Sequence, residues 1–141
     1  MNKMETKMLD PKIADLVLAM NESGRIETIG SCQGHPRKYC DPYVYFHADS
    51  NVASQLEMAL RKFGRGPNRR LYLDWEIIGH FNIDGKLHFR LQSPHYQDGT
   101  TSVVGAFIQH FLTRRQIRHD LTEIAIIFRQ TLGVRGGGLV R

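Results

Sequence analysis

The chain is poor in the residues and runs that would define it quickly. It has only two cysteines, Cys32 and Cys40, too few for a disulfide-stapled scaffold, and both are expected to be reduced thiols. No window reaches the run of about 18 apolar residues that a membrane span requires. Met1 to Asp10 interleaves Lys3, Glu5, Lys7 and Asp10 with no apolar run, which argues against a signal peptide there. A soluble, cytoplasmic protein with no membrane partner is therefore expected. Phosphate-loop, dinucleotide and kinase signatures are missing too, so the residue pattern implies no cofactor.

What the chain does have is enough apolar material for one core. With 141 residues, 41% of them hydrophobic, it suits a single α+β domain over residues 1–132. The glycine-rich tail, 133–141, is expected to be mobile. The net charge of +5 hides an asymmetry. Residues 1–60 carry 6 Lys/Arg against 8 Asp/Glu, whereas 61–141 carry 13 against 6. The basic excess gathers at Arg61, Lys62, Arg65, Arg69 and Arg70, and again at Arg114, Arg115 and Arg118. Such clusters favour a nucleic-acid partner, with Arg65, Arg69 and Arg70 as phosphate contacts. Most basic clusters of this size, however, form a solvated surface that keeps a protein soluble.

Apolar periodicity sets the expected elements. Asp10-Pro11 followed by Ile13, Leu16, Val17 and Met20 predicts a helix stopped at Ser23-Gly24. Arg25 to Ser31 and Pro42 to Ala48 read as strands, the second with Val44 and Phe46 on one face and Tyr43, Tyr45 and His47 on the other. About ten residues join them, short for a parallel crossover, so an antiparallel hairpin with a long loop is expected. Asp49-Ser50 caps a helix striped by Val52, Leu56, Leu60 and Phe63 and ended by Gly64. Val103, Val104, Phe107, Ile108, Phe111 and Leu112 form a further helical stripe, and Asp120 to Glu123 has capping-box spacing for a last helix reaching Gly133. The architecture expected is helix-hairpin-helix-hairpin-helix(-helix), a mainly antiparallel four-stranded sheet with helices on one face.

The second hairpin permits an argument about register. From Leu71 the period becomes two, with Leu71, Leu73, Trp75, Ile77, Gly79 and Phe81 on one face of a long strand and Leu87, Phe89 and Leu91 on one face of the next. A two-residue Asp84-Gly85 turn would mix polar and apolar residues on both faces. A three-residue loop, Ile83 to Gly85, pairs Phe81 with Leu87, Gly79 with Phe89 and Ile77 with Leu91, and gives Gly85 the left-handed position. The opposite face then collects Tyr72, Asp74, Glu76, Ile78, His80, His88, Arg90 and Gln92, with His80 directly across from His88 and Glu76 diagonal to Arg90. Such a face is either the wet side of an antiparallel sheet or a surface for sharing protons or holding a ligand.

Thr28 to Pro36 is the densest stretch of chemistry-bearing residues, with two hydroxyls, a thiol, two glycines and an imidazole where a strand breaks into a loop. Thr28, Ser31, Cys32, Gly34 and His35 are the ligand-binding candidates. Cys32, His35, Cys40 and His47 also spell four possible zinc ligands. In a hairpin centred near Pro36-Arg37, however, Cys32 pairs near Asp41 and His47 near Ile26. That leaves them roughly 20 Å apart at about 3.3 Å per residue, and no metal is expected. A loop set of Cys32, His35 and Cys40 would need a fourth ligand such as His95, and its spacing matches no standard finger.

Residues 9–48 carry a resemblance. Leu9-Asp10, the first helix, the segment Thr28 to His35 and the strand reaching His47 look like the start of the tRNA wybutosine-synthesis methyltransferase family, which shows a helix followed by a Thr-Ser-Ser-Cys-Ser-Gly-Arg-like segment. Thr28, Ser31, Cys32, Gly34 and His47 match it by position, while Gln33 and His35 stand where the family has Ser and Arg. The resemblance implies that these residues lie near an S-adenosylmethionine or RNA site. The function expected is a nucleic-acid-related ligand-binding or modifying domain with its site at Ser31 to His35. A non-catalytic accessory or interaction protein and a small metal-binding protein are the alternatives. Spacing assembles no catalytic set and specifies neither a substrate nor an oligomeric state.

Overall fold

Strand alternation is the strongest local signal in the chain, and a four-stranded antiparallel sheet is what it produces. The computed structural model describes residues 13–32, 42–93 and 103–134, the stretch 103–113 as helical backbone only. In chain order the elements are α1 (Ala14–Glu22), β1 (Ile26–Cys32), β2 (Tyr43–Ala48), α2 (Ser50–Gly64), β3 (Glu76–Phe81), β4 (Leu87–Gln92) and α3 (Val103–Leu132). The strands lie in the order β1-β2-β4-β3, every neighbour antiparallel. An α+β class is thus borne out. Among the described residues, no helix is long and apolar enough to cross a membrane.

The register of the second hairpin is the one that apolar matching requires. Phe81 faces Leu87, Gly79 faces Phe89, Ile77 faces Leu91 and His80 faces His88. Gly85 takes φ 74°, a left-handed conformation that glycine adopts without steric cost. The first hairpin pairs Cys32 with Tyr43 and His47 with Glu27. This corrects the expected pairing of Cys32 near Asp41 and His47 near Ile26. The turn is centred one residue later than expected, so the loop end of the hairpin is offset by two residues, and a bulge between Thr28 and Gly30, which leaves one residue of β1 without a partner, reduces the offset to one at His47.

One face of the sheet and the three helices share the core. Val44, Phe46, Phe89 and Leu91 are buried from the sheet, Leu16, Val17 and Met20 from α1, Leu56 and Leu60 from α2, and Leu121, Ile124, Ile127 and Phe128 from α3. Each large side chain so buried contributes about 1.5–3 kcal/mol through apolar area removed from water. α1 packs on β1 and α3, α2 on β3 and α3. Arg129 of α3 adds ion pairs to Asp15 at 3.0 Å and Glu22 at 3.1 Å. Asn21 at the end of α1 donates to Thr28 Oγ1 at 2.7 Å and accepts the Thr28 N–H at 3.1 Å, which docks the helix on β1. At the far tip of the second hairpin the apolar face leaves the helices behind: Phe81 is 74% exposed and Ile83 fully so.

Two expected elements differ. Leu71 to Trp75 is not strand, and Asp120 does not start a helix; a single interaction explains both. α3 runs unbroken through Asp120, since no glycine or proline lies between Gly105 and Gly133 to stop it. The buried Asp120 carboxylate accepts the N–H groups of Tyr72 at 2.9 Å and Leu73 at 2.9 Å and the indole N–H of Trp75 at 2.8 Å. Those donors therefore serve a side chain rather than a neighbouring strand. The other residues of the supposed capping box are spent elsewhere. Leu121 is buried in the core, Thr122 donates to the Arg118 carbonyl and Glu123 pairs with Arg70 at 2.6 Å. Asp49 does stand at the N-cap of α2, but its side chain makes no capping bond, and the helix runs through Gly64 to an extended Arg65.

The expected cap at Asp10-Pro11, the first-hairpin loop with Gly34, His35 and Cys40, the loop after Ser93, and the side chains of the 103–112 stripe lie outside the described residues. Of the expected tail, Gly133 and Val134 are described, and Val134 packs partly buried against the core.

Burial raises the Asp120 pKa above the usual carboxylate value, against the opposing pull of the hydrogen bonds from Trp75, Tyr72 and Leu73. Asp120→Ala leaves three inward-facing donors unmatched and is expected to lower unfolding free energy by about 2–4 kcal/mol. Asp120→Asn should come close to the same loss, because its amide sets a donor against two of them. Urea denaturation followed by Trp75 fluorescence measures both.

Candidate functional site

Cross-strand pairing arranges the face of the sheet that no described helix covers in three rows, because residues directly opposite one another in an antiparallel pair point to the same side. The first row runs Cys32, Tyr43, Gln92, Glu76; the second Gly30, Tyr45, Arg90, Ile78; the third Glu27, His47, His88, His80. Neighbouring strands are about 4.8 Å apart, which brings directly opposed side chains of a row within reach of one another. None of these side chains belongs to the apolar core cluster, and Cys32 is buried at the β1 edge.

Arg90 sits at the centre of this surface. Its guanidinium lies 4.9 Å from the Tyr43 ring centre and 5.2 Å from that of Tyr45, a double cation–π contact. It also donates to the Tyr45 hydroxyl at 3.3 Å. Its Nε is buried and has no hydrogen-bond partner among the described residues. The Tyr43 and Tyr45 rings meet edge to face at 5.1 Å, and Tyr45 reaches His80 at 5.3 Å. In the first row Gln92 donates to Glu76 at 2.9 Å, so Glu76 is engaged by its direct partner rather than by the diagonal Arg90.

The third row holds three imidazoles. His47 and His88 meet edge to face with ring centres 3.8 Å apart, and His80 lies opposite His88. Asn82 fixes the protonation of His88. Its Oδ1 accepts the N–H groups of Asp84 at 3.0 Å and Lys86 at 2.9 Å, which turns its amide NH2 toward His88 Nε2 at 2.8 Å. Nε2 must then accept, which makes His88 a neutral imidazole with its proton on Nδ1. Desolvation, then the neighbouring His47 and His80, push the His88 pKa below the ordinary imidazole value.

The residues singled out from the sequence divide sharply. His80, His88, Arg90 and Glu76 come together on one face, joined by Tyr43, Tyr45 and His47 from β2. These three were legible as the outward side of their strand, but nothing local shows that β2 lies beside β4. Tyr72 and Asp74 do not join them, because their segment is held by Asp120 or lies beside it. Of the loop candidates, Thr28 is engaged with Asn21, Ser31 lies opposite Val44 on the core side and Cys32 is buried opposite Tyr43. Gly34 and His35 lie outside the described residues.

Arg69 and Arg70 are committed internally. Arg69 donates to the carbonyls of Leu71 and Tyr72; Arg70 pairs with Glu123 and stacks over Phe63 at 4.9 Å. Arg65 is exposed. Among the described residues no three His, Cys, Asp or Glu side chains converge to hold a metal ion. The chain matches no family model, no curated protein and no solved structure.

Because the His88 pKa is depressed in the folded protein, the unfolded chain binds more protons below the ordinary imidazole value of about 6.5. The stability that His88 contributes is present above that value and is lost as pH falls through its folded pKa. NMR of the imidazole Cε1–H signals should show His88 titrating below the ordinary imidazole range, and urea midpoints should fall with pH across the same interval.

Proposed function

We propose that this chain binds single-stranded nucleic acid on the open face of its sheet. The observation that carries the reading is the cluster on the two central strands, where Tyr43, Tyr45 and His47 of β2 stand beside His88 and Arg90 of β4. Unpaired bases stack on aromatic, imidazole and guanidinium planes whatever their sequence, and a four-stranded sheet presents such planes at strand spacing. The Arg90 cation at the centre of the cluster and the net charge of +5 favour a polyanion. Cys32, at the end of β1, stands opposite Tyr43, so a strand lying along the first row would reach that end of β1. The resemblance of residues 9–48 to a tRNA-modifying family favours RNA as the strand. Arg65 is left as the phosphate contact of the basic turn, since Arg69 and Arg70 are already used.

A second reading, a non-catalytic interaction protein, is favoured by one observation, the apolar tip formed by Phe81, Ile83 and Leu87. Isolated exposed apolar residues are ordinary, but a contiguous group at a projecting hairpin suits a protein partner.

Fluorescence anisotropy with labelled oligouridylate over a salt series separates the two readings. Binding should weaken as salt rises. Tyr45→Ala and Arg90→Ala should each weaken it about tenfold to a hundredfold, the usual loss of one stacking contact, with circular dichroism confirming that the variants fold. A chain that shows no salt-sensitive binding is not a nucleic-acid-binding protein, and the interaction reading takes its place.

A further inference from the structure

The third row of the sheet face does more than offer planes for stacking. Its imidazoles cluster at one end of the platform, a single row away from Arg90, and they carry charge only when protonated. We infer that His47, His80 and His88 form a phosphate subsite of this face that takes up protons as phosphate binds, and that Asn82 sets the order by holding His88 neutral. The inference rests on the strand-binding reading and specifies which part of the strand this row grips.

The geometry supports each part. An anion held by His47 and His80 raises the proton affinity of both, so binding and protonation reinforce each other. His88 resists, because a proton on Nε2 would face the Asn82 amide donor, whose orientation is fixed by the Asp84 and Lys86 N–H groups. It offers instead an Nδ1–H donor, the neutral counterpart of its charged neighbours. The other groups around the row are Glu27, which pairs with His47 from β1, Arg90 and Tyr45 in the adjoining row, and Asp84 and Lys86 at the turn. Arg25 and Asp49 line the groove beside His47. Glu27, Asp49 and Asp84 oppose an approaching anion, and Arg25, Lys86 and Arg90 attract it. The near balance of these fixed charges leaves the imidazoles to decide the sign of the site. A phosphodiester keeps one negative charge throughout the imidazole range, so any pH dependence belongs to the protein.

The test uses the full chain and two labelled strands with hydroxyl ends, an oligouridylate and an abasic phosphodiester of equal length, at constant ionic strength. Both should bind about tenfold more tightly at about pH 5.5 than at about pH 8, the change produced when phosphate raises one imidazole by about one pKa unit. His47→Gln should bring the ratio of the two affinities close to one, whatever its absolute affinity. Asn82→Asp keeps both turn hydrogen bonds but presents an acceptor to His88 Nε2. It should raise the His88 midpoint in NMR titration and move the tightening to higher pH.

Equal affinity at both pH values, or binding of the oligouridylate without the abasic strand, overturns the subsite and leaves strand binding intact. Failure to bind either strand at either pH overturns strand binding and the subsite with it. An unchanged His88 midpoint in Asn82→Asp overturns the role of Asn82.

Discussion

The carboxylate of Asp120 is the constraint on which the arrangement depends. It projects from the middle of a long helix and gathers three N–H donors from Tyr72, Leu73 and Trp75, just upstream of β3. A segment with strand-like alternation is thereby bent into an irregular bridge whose backbone is satisfied by a side chain. The bridge sets where β3 begins, and so where the second hairpin lies against α2. Around it, Arg70 with Glu123 and His119 against the Arg70 carbonyl at 3.1 Å repeat the same connection between helix and loop. Much of the basic turn that looks like a surface patch in the sequence is in fact mortar.

From that anchorage the sheet acquires two unlike faces. One is a continuous apolar layer against three helices; the other is ordered in rows of aromatic, imidazole and guanidinium groups. The ordering costs no special backbone. It follows from antiparallel pairing and from the strict alternation of β2 and β4, which place Tyr45 beside Arg90 once those strands become neighbours. Contact of Arg90 with both tyrosine rings then holds a cation in place on this face, with less conformational freedom to lose when a ligand arrives than an extended arginine has.

The parts of this structure legible in the sequence are those specified locally. The register of β3 and β4 could be read because only one loop length leaves Phe81, Gly79 and Ile77 on the same side as Leu87, Phe89 and Leu91. The face that holds His80 and His88 followed from it. The neighbourhood of β2 and β4 could not be read, since nothing within either strand specifies a partner more than forty residues away, and with it went the joining of Tyr43, Tyr45 and His47 to the site. The role of Asp120 is hidden for a different reason. The residues from Asp120 to Glu123 have capping-box spacing, and only burial beside a distant loop reveals that the aspartate serves other donors. Likewise Arg69 and Arg70 look like phosphate contacts until their internal partners are seen.

The bulge in β1 acts as a phase slip in an otherwise binary code. In a regular strand Ile26, Thr28, Gly30 and Cys32 would share one side. Because Ile29 is not counted by the ladder, every residue after it changes parity: Ser31 turns toward Val44, and Cys32 joins the side of Tyr43. The thiol thus stands at the rim of the aromatic surface instead of under it. One uncounted residue decides which of the two faces inherits the most reactive atom of the strand.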